Sequence, residues 1–393
     1  MREVAIVGIG QTKHSGHRDD TFQDLVRETT KLVLEDAETT IDKIDAVVFS
    51  MAPDALIGTV HAERWIADTM GAQGKPCMRV NTGGVSGLSA VQTAFYHIAS
   101  GLFDTVLVIG ADRVGEAGDA QTILNRIWDP IYERALPLNT ITMLAMSAIR
   151  FMEKYGATEE HMALVSVKSH NNAMLNPRAH IRKPVTVEDV LKSRMIAYPI
   201  KLLDSCPKSS GGCALILAAK DKVKSFPNKP AWIRGIGHSS ETYWMGDRVG
   251  RKLDSEHGDH ADSIALTRAA WQAYKAAGIT NPRKEIDVAE LYAPFSNIEL
   301  HAVQDVGLCD YGEAHRLLEK GYFDIGGEMP VNPSGGVLCA NPIAATAMIR
   351  VAEAAQQVTG RAGEHQVEKA KRALATGIGG DHQFFGAVVV EAD

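Results

Sequence analysis

The chain is poor in cysteine and has no long apolar run. Its 393 residues include five cysteines, which are widely separated and form no CxxC pair. This spacing argues against a disulfide framework and against a zinc ribbon within the chain. No uninterrupted apolar stretch reaches about 18 residues, the length at which a membrane-spanning helix becomes a candidate. The first residues also lack the apolar segment and cleavage site of a signal peptide. We therefore expect a cytoplasmic protein without a membrane span.

A surplus of basic residues is also missing. The formal net charge is -7, whereas nucleic-acid-binding domains usually carry a basic face. We therefore expect no nucleic acid partner. The segment VGIG (residues 7–10) lacks the third glycine of a dinucleotide-binding fingerprint, so NAD binding is not expected either. The length and the apolar fraction of 45% are typical of a globular protein with two or more domains.

Helical and strand patterns alternate through the first third of the chain. Residues 21–36 have helical spacing of apolar side chains, with Thr21 as the N-cap. Residues 44–50 (IDAVVFS) and 105–111 (TVLVIGA) are short apolar runs typical of strands buried on both faces. Strands that alternate with helices predict an α/β fold with parallel pairing.

Two segments of the first half recur, in the same order, in the second half. EIDVAELYAPF (residues 285–295) resembles KIDAVVFSMAP (residues 43–53), and PVNPSGGVL (330–338) resembles RVNTGGVSG (79–87). We interpret these pairs as an internal duplication of one α/β unit.

A helical, methionine-rich and proline-interrupted region separates the two halves. We assign residues 112–210 to this insertion, which we expect to cover a site. The first half then comprises residues 1–111 plus 211–250, and the second comprises residues 251–393.

The stretch MRVNTGGVSGLSAV (residues 78–91) predicts a sharp turn between a strand and a helix. Such turns often expose a nucleophilic side chain. Here the tip of the turn is Gly83-Gly84, which offers none.

Several segments together resemble the thiolase superfamily, and in particular its sterol-carrier-protein branch. These are NNAMLNPRAHIRKPVTVEDVLKSRMIAYPIKLLDSCPKSSGGCALIL (171–217), ELYAPFSNIELHAVQDVGLC (290–309) and NPSGG (332–336). The resemblance covers essentially the whole chain. It implies a thiolase-like five-layered αβαβα fold of two duplicated halves with a helical loop domain. It also implies a homodimer and acyl-CoA substrates, with coenzyme A entering as part of the substrate and no permanently bound cofactor. A small zinc-ribbon or OB-fold subunit is a further partner to consider.

The departures from the family pattern fall on its chemistry. Gly84 stands where thiolases have the nucleophilic cysteine, and Asn341 stands where they have a histidine base. Gly377 takes the place of a second reactive cysteine near the C-terminus. Thiolysis needs a thiolate and a base to activate it, and neither glycine nor asparagine supplies them. The ordinary thiolase reaction is therefore not expected.

Three residues are candidates for proton transfer. Tyr292 ends an apolar strand where the family builds its site, and related aldolases use tyrosines in that pocket. The phenol could donate to an enolate, or it could be a core tyrosine. Asp381 and His382 follow a glycine turn that faces the pocket in the family, so either could act as a base or only cap the turn.

The remaining candidates concern a nucleophile and binding. Cys339 is a candidate for a displaced nucleophile or a packing residue, whereas we interpret Cys206 and Cys213 as structural. Backbone N–H groups at Gly83, Gly84 and Gly380, with the amide of Asn341, could bind an oxyanion. Arg182 and Lys183 could bind coenzyme phosphates or form a solvated face.

Three hypotheses follow for the function. The first is a carbon–carbon lyase or synthase that uses aldol-type enolate chemistry on an acyl-CoA and needs no acyl-enzyme. The second is a β-ketoacyl-CoA thiolase or acyltransferase with a displaced cysteine. The third is a non-catalytic subunit that binds coenzyme A or lipid within a complex.

Overall fold

The computed structural model describes residues 1–248 and 259–392. Within these residues the strands are β1 (Val4–Gln11), β2 (Ala46–Ser50), β3 (Cys77–Val80), β4 (Thr105–Arg113), β5 (Met195–Ala197), β6 (Ile200–Lys201), β7 (Ser210–Ala219), β8 (Ala231–Ser240), β9 (Val288–Glu290), β10 (Arg372–Gly379) and β11 (Phe384–Glu391).

The helices of the same residues are α1 (Phe22–Asp36), α2 (Glu63–Ile66), α3 (Ser86–Ala99), α4 (Ala120–Leu124), α5 (Thr140–Tyr155), α6 (Glu159–Leu175), α7 (Val187–Lys192), α8 (Ile264–Ala277), α9 (Pro282–Glu285), α10 (Ser296–Asp305), α11 (Ala314–Glu319), α12 (Gly336–Cys339) and α13 (Ala344–Thr359). None of these helices is long and apolar enough to cross a membrane.

Nine strands form one sheet in the order β3-β2-β4-β7-β1-β8-β11-β10-β9. The order and direction of pairing are the same in both halves when read outward from the centre. β1 pairs antiparallel with β7, β7 antiparallel with β4, and β4 parallel with β2. In the second half β8, β11, β10 and β9 repeat these directions. This symmetry is what a duplicated α/β unit produces, and it places the two sequence repeats at equivalent strands, β2 and β9.

The second repeat is also equivalent in position. Residues 79–87 contain the end of β3, which pairs parallel with β2. Val331 forms a parallel bridge with Ala289 of β9. Residues 330–338 therefore lie beside β9 as residues 79–87 lie beside β2.

One strand of the segment assigned to the first half pairs mainly with the second half. β8 lies within residues 211–250, which we assigned to the first half, but it pairs with β11 along its whole length. It touches the first half only through the short pairing of Ala5 with Trp232 and of Ile6 with Ala231. By strand pairing, β8 therefore groups with the second half, and the boundary at residue 251 stays a prediction.

The layers follow from which helices contact which strands. α3 and α13 pack on each other and contact strands of both halves, so they lie between the two halves of the sheet. α1 contacts β1, β4 and β7, and α8 contacts β8 and β11. These contacts make five layers, and the α/β thiolase-like fold expected from the sequence is confirmed. Thr21 caps α1 with a reciprocal capping box, as its spacing to Asp24 predicts.

Candidate active site

The turn after β3 is pressed against the hairpin between β10 and β11. A Cβ atom added at Gly83 (φ 69°) would lie 2.7 Å from the backbone nitrogen of Gly380. One added at Gly379 would lie 2.2 Å from the carbonyl oxygen of Thr82. Only glycine allows two backbones to approach so closely. The glycines on both sides therefore bring the two loops, which are distant in sequence, into contact.

Tyr292 fills the space above the tip of the turn. A Cβ atom added at Gly84 would lie 3.0 Å from the Tyr292 hydroxyl and 2.5 Å from the carbonyl oxygen of Ile378. A nucleophilic side chain at position 84 would thus collide with this hydroxyl and this carbonyl. The phenol of the second half therefore occupies space that a side chain at residue 84 would need.

The tyrosine is held at both ends. Its backbone N–H donates to the Thr376 hydroxyl of β10 (2.9 Å), and its own hydroxyl donates to the carbonyl of Ile343 (3.2 Å). Burial raises the pKa of Tyr292 far above its usual value near 10. The phenol is therefore protonated at neutral pH and can serve as a hydrogen-bond donor.

Asn341 is oriented by three neighbours. The Thr346 hydroxyl donates to its Oδ1 (2.9 Å), and its backbone N–H donates to the Ser209 hydroxyl (3.0 Å). Its Nδ2 group donates to the Cys206 thiol sulfur (3.0 Å). Since sulfur is a weak acceptor, this amide can transfer its hydrogen bond to a better acceptor such as a carbonyl oxygen.

The hairpin turn carries the two remaining candidates for proton transfer. Gly380, Asp381 and His382 have φ values of 58°, 54° and 64°, a left-handed conformation that is strained for the two non-glycine residues. Arg248 Nη1 donates to the carbonyls of Asp381 (3.2 Å) and His382 (2.9 Å) and so braces the turn.

Burial has opposite effects on the two side chains. It raises the pKa of the Asp381 carboxyl to about 7, against the opposing influence of the Arg248 charge. It lowers the pKa of His382 well below its usual value. Near pH 7 the imidazole is therefore neutral, with one ring nitrogen unprotonated, while the carboxyl is close to its titration midpoint.

These groups line one cavity of about 460 Å³. It contains Gly83, Gly84 and Gly380 together with Tyr292, Asn341, Asp381 and His382. Loop-domain side chains form much of the remaining wall, which is mainly apolar and includes Leu124, Ile127, Ile141 and Leu144. The structure thus brings seven of the ten residues singled out from the sequence into a single space.

Three of those residues lie elsewhere. Cys339 does not line the cavity; it is fully buried, and its thiol contacts the carbonyl of Ser169 at 3.5 Å. Burial raises its pKa to about 12. Arg182 and Lys183 are exposed and also lie outside the cavity wall. The Arg182 guanidinium donates to the carbonyl of Met174.

Cys206 is the residue that sequence reasoning missed. It lies in the cavity wall beside Asn341, although we interpreted it as structural. Its backbone N–H donates to the carbonyl of Pro294 (2.9 Å), two residues after Tyr292. This contact joins segments almost ninety residues apart, so no local sequence pattern around Cys206 predicts it. Burial raises the pKa of its thiol to about 11.

Comparisons with known protein families cover nearly the whole chain. Residues 4–197 match the family "Thiolase, N-terminal domain", and residues 247–391 match "Thiolase C-terminal domain-like". An acetyl-CoA acetyltransferase of Methanothermobacter thermautotrophicus is 34% identical over 382 residues, which are 97% of each chain. Sterol carrier protein 2 of Gallus gallus is 29% identical over 99% of this chain and 71% of its own.

Solved structures give the same picture. The "Ltp2-ChsH2(DUF35) aldolase" has a TM-score of 0.84 at 27% identity and covers 100% of this chain and 98% of its own. Human mitochondrial 3-ketoacyl-CoA thiolase has a TM-score of 0.74 at 16% identity and covers 100% of this chain and 99% of its own. At this identity the similarity concerns the fold alone.

Proposed function

Because the chain belongs to the thiolase superfamily of enzymes, we propose that it forms or breaks a carbon–carbon bond β to the carbonyl of an acyl-CoA thioester without an acyl-enzyme. The observation that carries this proposal is the Tyr292 hydroxyl, which occupies the space of a side chain at Gly84. A covalent route needs an acyl acceptor at that point, whereas an aldol-type route needs only acid, base and stabilisation of an enolate.

In the cleavage direction the base removes the proton of a β-hydroxyl group. The bond between the α and β carbons then breaks, a carbonyl forms at the β carbon, and the electron pair passes to the thioester as an enolate. A proton returned to the α carbon completes the reaction. Asp381 and His382 are the proposed bases, because one titrates near pH 7 and the other is neutral there.

Stabilisation of the enolate oxygen is assigned to donors on the other side of the cavity. The protonated Tyr292 hydroxyl and the Nδ2 group of Asn341 both border the cavity. The backbone at Gly83 and Gly84 leads into the N-terminus of α3 (Ser86–Ala99), whose dipole favours negative charge. Donors that are held in place before the reaction lower the energy of developing charge without further reorganisation.

Acyl transfer through a displaced cysteine is the second candidate, since the relative from Methanothermobacter is named an acetyltransferase. The thiol that borders the cavity is Cys206, whereas Cys339 does not reach it. With a pKa near 11, only on the order of 10⁻⁴ of the Cys206 thiol is ionised at pH 7. The aldol-type route is therefore favoured.

Coenzyme A is proposed to enter as part of the substrate, and no resident cofactor is invoked. Lys208 is exposed and lies in the cavity wall, so its ammonium is the proposed contact for an anionic group at the entrance. Arg182 and Lys183 could contact the coenzyme phosphates only outside this cavity.

We also propose a homodimer and a second subunit. β3 is the last strand at one edge of the sheet, and its residues Cys77 and Met78 are exposed. An open edge strand is a ready template for pairing with a second copy. The similar aldolase structure is named for two proteins, Ltp2-ChsH2(DUF35), and this supports testing the chain with a small zinc-ribbon or OB-fold partner.

The test combines product analysis with intact-mass spectrometry. The protein, alone and with the partner, is incubated with a β-hydroxyacyl-CoA and separately with a β-ketoacyl-CoA plus coenzyme A. The proposal expects cleavage of the first substrate to a shorter acyl-CoA and a carbonyl compound, with no mass added to the protein. An acylated cysteine would instead establish the acyltransferase route, and binding without turnover in all combinations would establish a non-catalytic subunit.

A further inference from the structure

A second, smaller space lies behind the hairpin turn and is called the polar chamber here. It has a volume of about 30 Å³ and is lined by residues of α5, α8, α10, the turn and the segment 259–263, with Glu241 and Arg248. Ile378 and His382 line both this chamber and the large cavity. The imidazole of His382 therefore belongs to the partition between the two spaces.

The walls of the chamber carry buried polar atoms that have no hydrogen-bond partner among the described residues. They are Nε2 of His260, Nε2 of His301, Oδ1 of Asp305 and Nε2 of His382. His301 and Asp305 are only 4% and 1% exposed. A buried donor or acceptor without a partner costs about 1–3 kcal/mol, so four residues that line one small space and each carry such an atom favour an occupant there.

Water is the occupant that fits. A cavity volume of about 10–15 Å³ is enough to hold one water molecule, and each buried water needs two to four polar partners. Within the described part of the chain, no group of three histidine, cysteine or carboxylate side chains is arranged to hold a metal ion. The chamber therefore has room for one or two waters and the polar atoms to bind them.

The groups on the wall are held so that they can direct such water. His301 is stacked on Phe151 with ring centroids 4.3 Å apart, which fixes its ring plane. The second oxygen of Asp305 accepts the backbone N–H of Ser263 at 3.1 Å, whereas Oδ1 has no partner within normal hydrogen-bond distance; the Tyr311 hydroxyl lies near the same carboxyl. Burial lowers the pKa of His301 to about 3 and raises that of Asp305 well above its usual value.

We propose that the polar chamber is a water-binding site that links His382 to Asp305, and that Asp305 and His301 are positioning residues which fix the tautomer of His382. The catalytic part of this inference rests on the proposed function. A proton received by one ring nitrogen, with release of the proton on the other to chamber water, leaves the ring neutral. The reverse transfer supplies the proton for the enolate carbon after the carbon–carbon bond has broken.

The first test concerns the water itself and does not depend on activity. A crystal structure of the full chain, at a resolution that shows other interior waters, is expected to show one or two waters bonded to His382 and Asp305. A chamber without ordered water in that structure would overturn the inference.

The second test uses Asp305→Asn, with Asp204→Asn as its matched control. Asp204 is equally buried, but its carboxyl accepts hydrogen bonds from the Ser296 hydroxyl (2.7 Å) and the Lys201 backbone N–H (3.0 Å). The measurement is the ¹⁵N NMR signal of the His382 ring, which is assigned by its absence from the spectrum of His382→Gln. This signal should shift in Asp305→Asn and should not shift in Asp204→Asn. An unshifted signal would overturn the link between the two residues.

Turnover supplies the third readout. Asp305→Asn should lower kcat by on the order of 10-fold with little change in KM, and the control should not. Ala302→Val, which fills the chamber from α10, should act in the same way if Asp305→Asn does not fold.

Ordered water with unchanged kcat in both variants would refute the relay. No turnover in the unmodified protein would refute the proposed function, while the crystallographic and ¹⁵N results would still decide the water link.

Discussion

The Tyr292 hydroxyl lies 3.0 Å from the point at which a Cβ atom at Gly84 would stand. The two residues come from different halves of the duplicated fold, yet each explains the other: the phenol can occupy this position only because residue 84 has no side chain. The absence of a side chain at residue 84 and the position of the Tyr292 hydroxyl are therefore structurally coupled.

Gly84→Cys should not convert the protein into a thiolase. The new side chain would meet the Ile378 carbonyl at 2.5 Å as well as the phenol, and overpacking of this kind costs roughly 1–3 kcal/mol. Thermal unfolding should show a lowered Tm, and intact-mass spectrometry should show no acyl-enzyme. Gly118→Cys is the control, because Gly118 lines the same cavity with nothing within 4 Å of its Cβ position. It should leave the Tm nearly unchanged.

Tyr292→Phe should lower kcat by on the order of 10²–10⁴, the usual effect of removing an acid or base, while acyl-CoA binding measured by calorimetry remains. Tyr274→Phe is the matched control. Its buried hydroxyl also donates to a backbone carbonyl, that of Val306 at 2.8 Å, but lies outside the cavity. Both variants should lose about 1 kcal/mol of stability from the missing hydrogen bond, so equal activity in the two would argue against a chemical role for Tyr292.

Removal of either candidate thiol should leave the chemistry intact. Cys339→Ala should lose stability from its packed position but keep turnover, because its sulfur does not reach the cavity. Cys206→Ala should change KM more than kcat, since it releases the amide of Asn341 from its hydrogen bond. Steady-state kinetics of both variants check this. The displaced-thiolate route would win if either variant abolished turnover while Tyr292→Phe remained fully active.

Asp381 should give the rate a pH dependence centred near pH 7, the pKa to which burial raises it. The rate should rise with pH as the carboxylate forms, under the opposing charges of Arg248 and Glu133. Asp381→Asn should lower the rate and remove this rise; asparagine tolerates the left-handed backbone at this position. If the rate of Asp381→Asn still increased with pH around pH 7 as in the wild type, the titrating group would be another residue.

The same carboxyl should affect stability with a defined sign. An unfolded aspartate titrates near pH 4, whereas the folded one keeps its proton to about pH 7. Its contribution is therefore complete below about pH 4 and is lost as the pH rises through about 7. Urea unfolding at several pH values should show a smaller decline over this interval in Asp381→Asn than in the wild type.

The sequence by itself determined the architecture. The repeated segments at residues 43–53 and 285–295 became β2 and β9, which hold equivalent places in the sheet. Thr21 began its helix as expected, and Gly84, Tyr292 and Asn341, which the sequence marks as site candidates, line one cavity. These features are readable because periodicity, capping and close-approach glycines act locally along the chain.

Only the tertiary structure decided which of the candidate groups meet. It brought Cys206 into the cavity and left Cys339 outside it, although the sequence suggested a reactive role only for Cys339. It also placed β8 beside β11 of the second half, a pairing that sequence order does not predict. Cavity walls and pKa values depend on burial and on contacts between residues far apart in the chain, and these do not exist until the two halves have packed together.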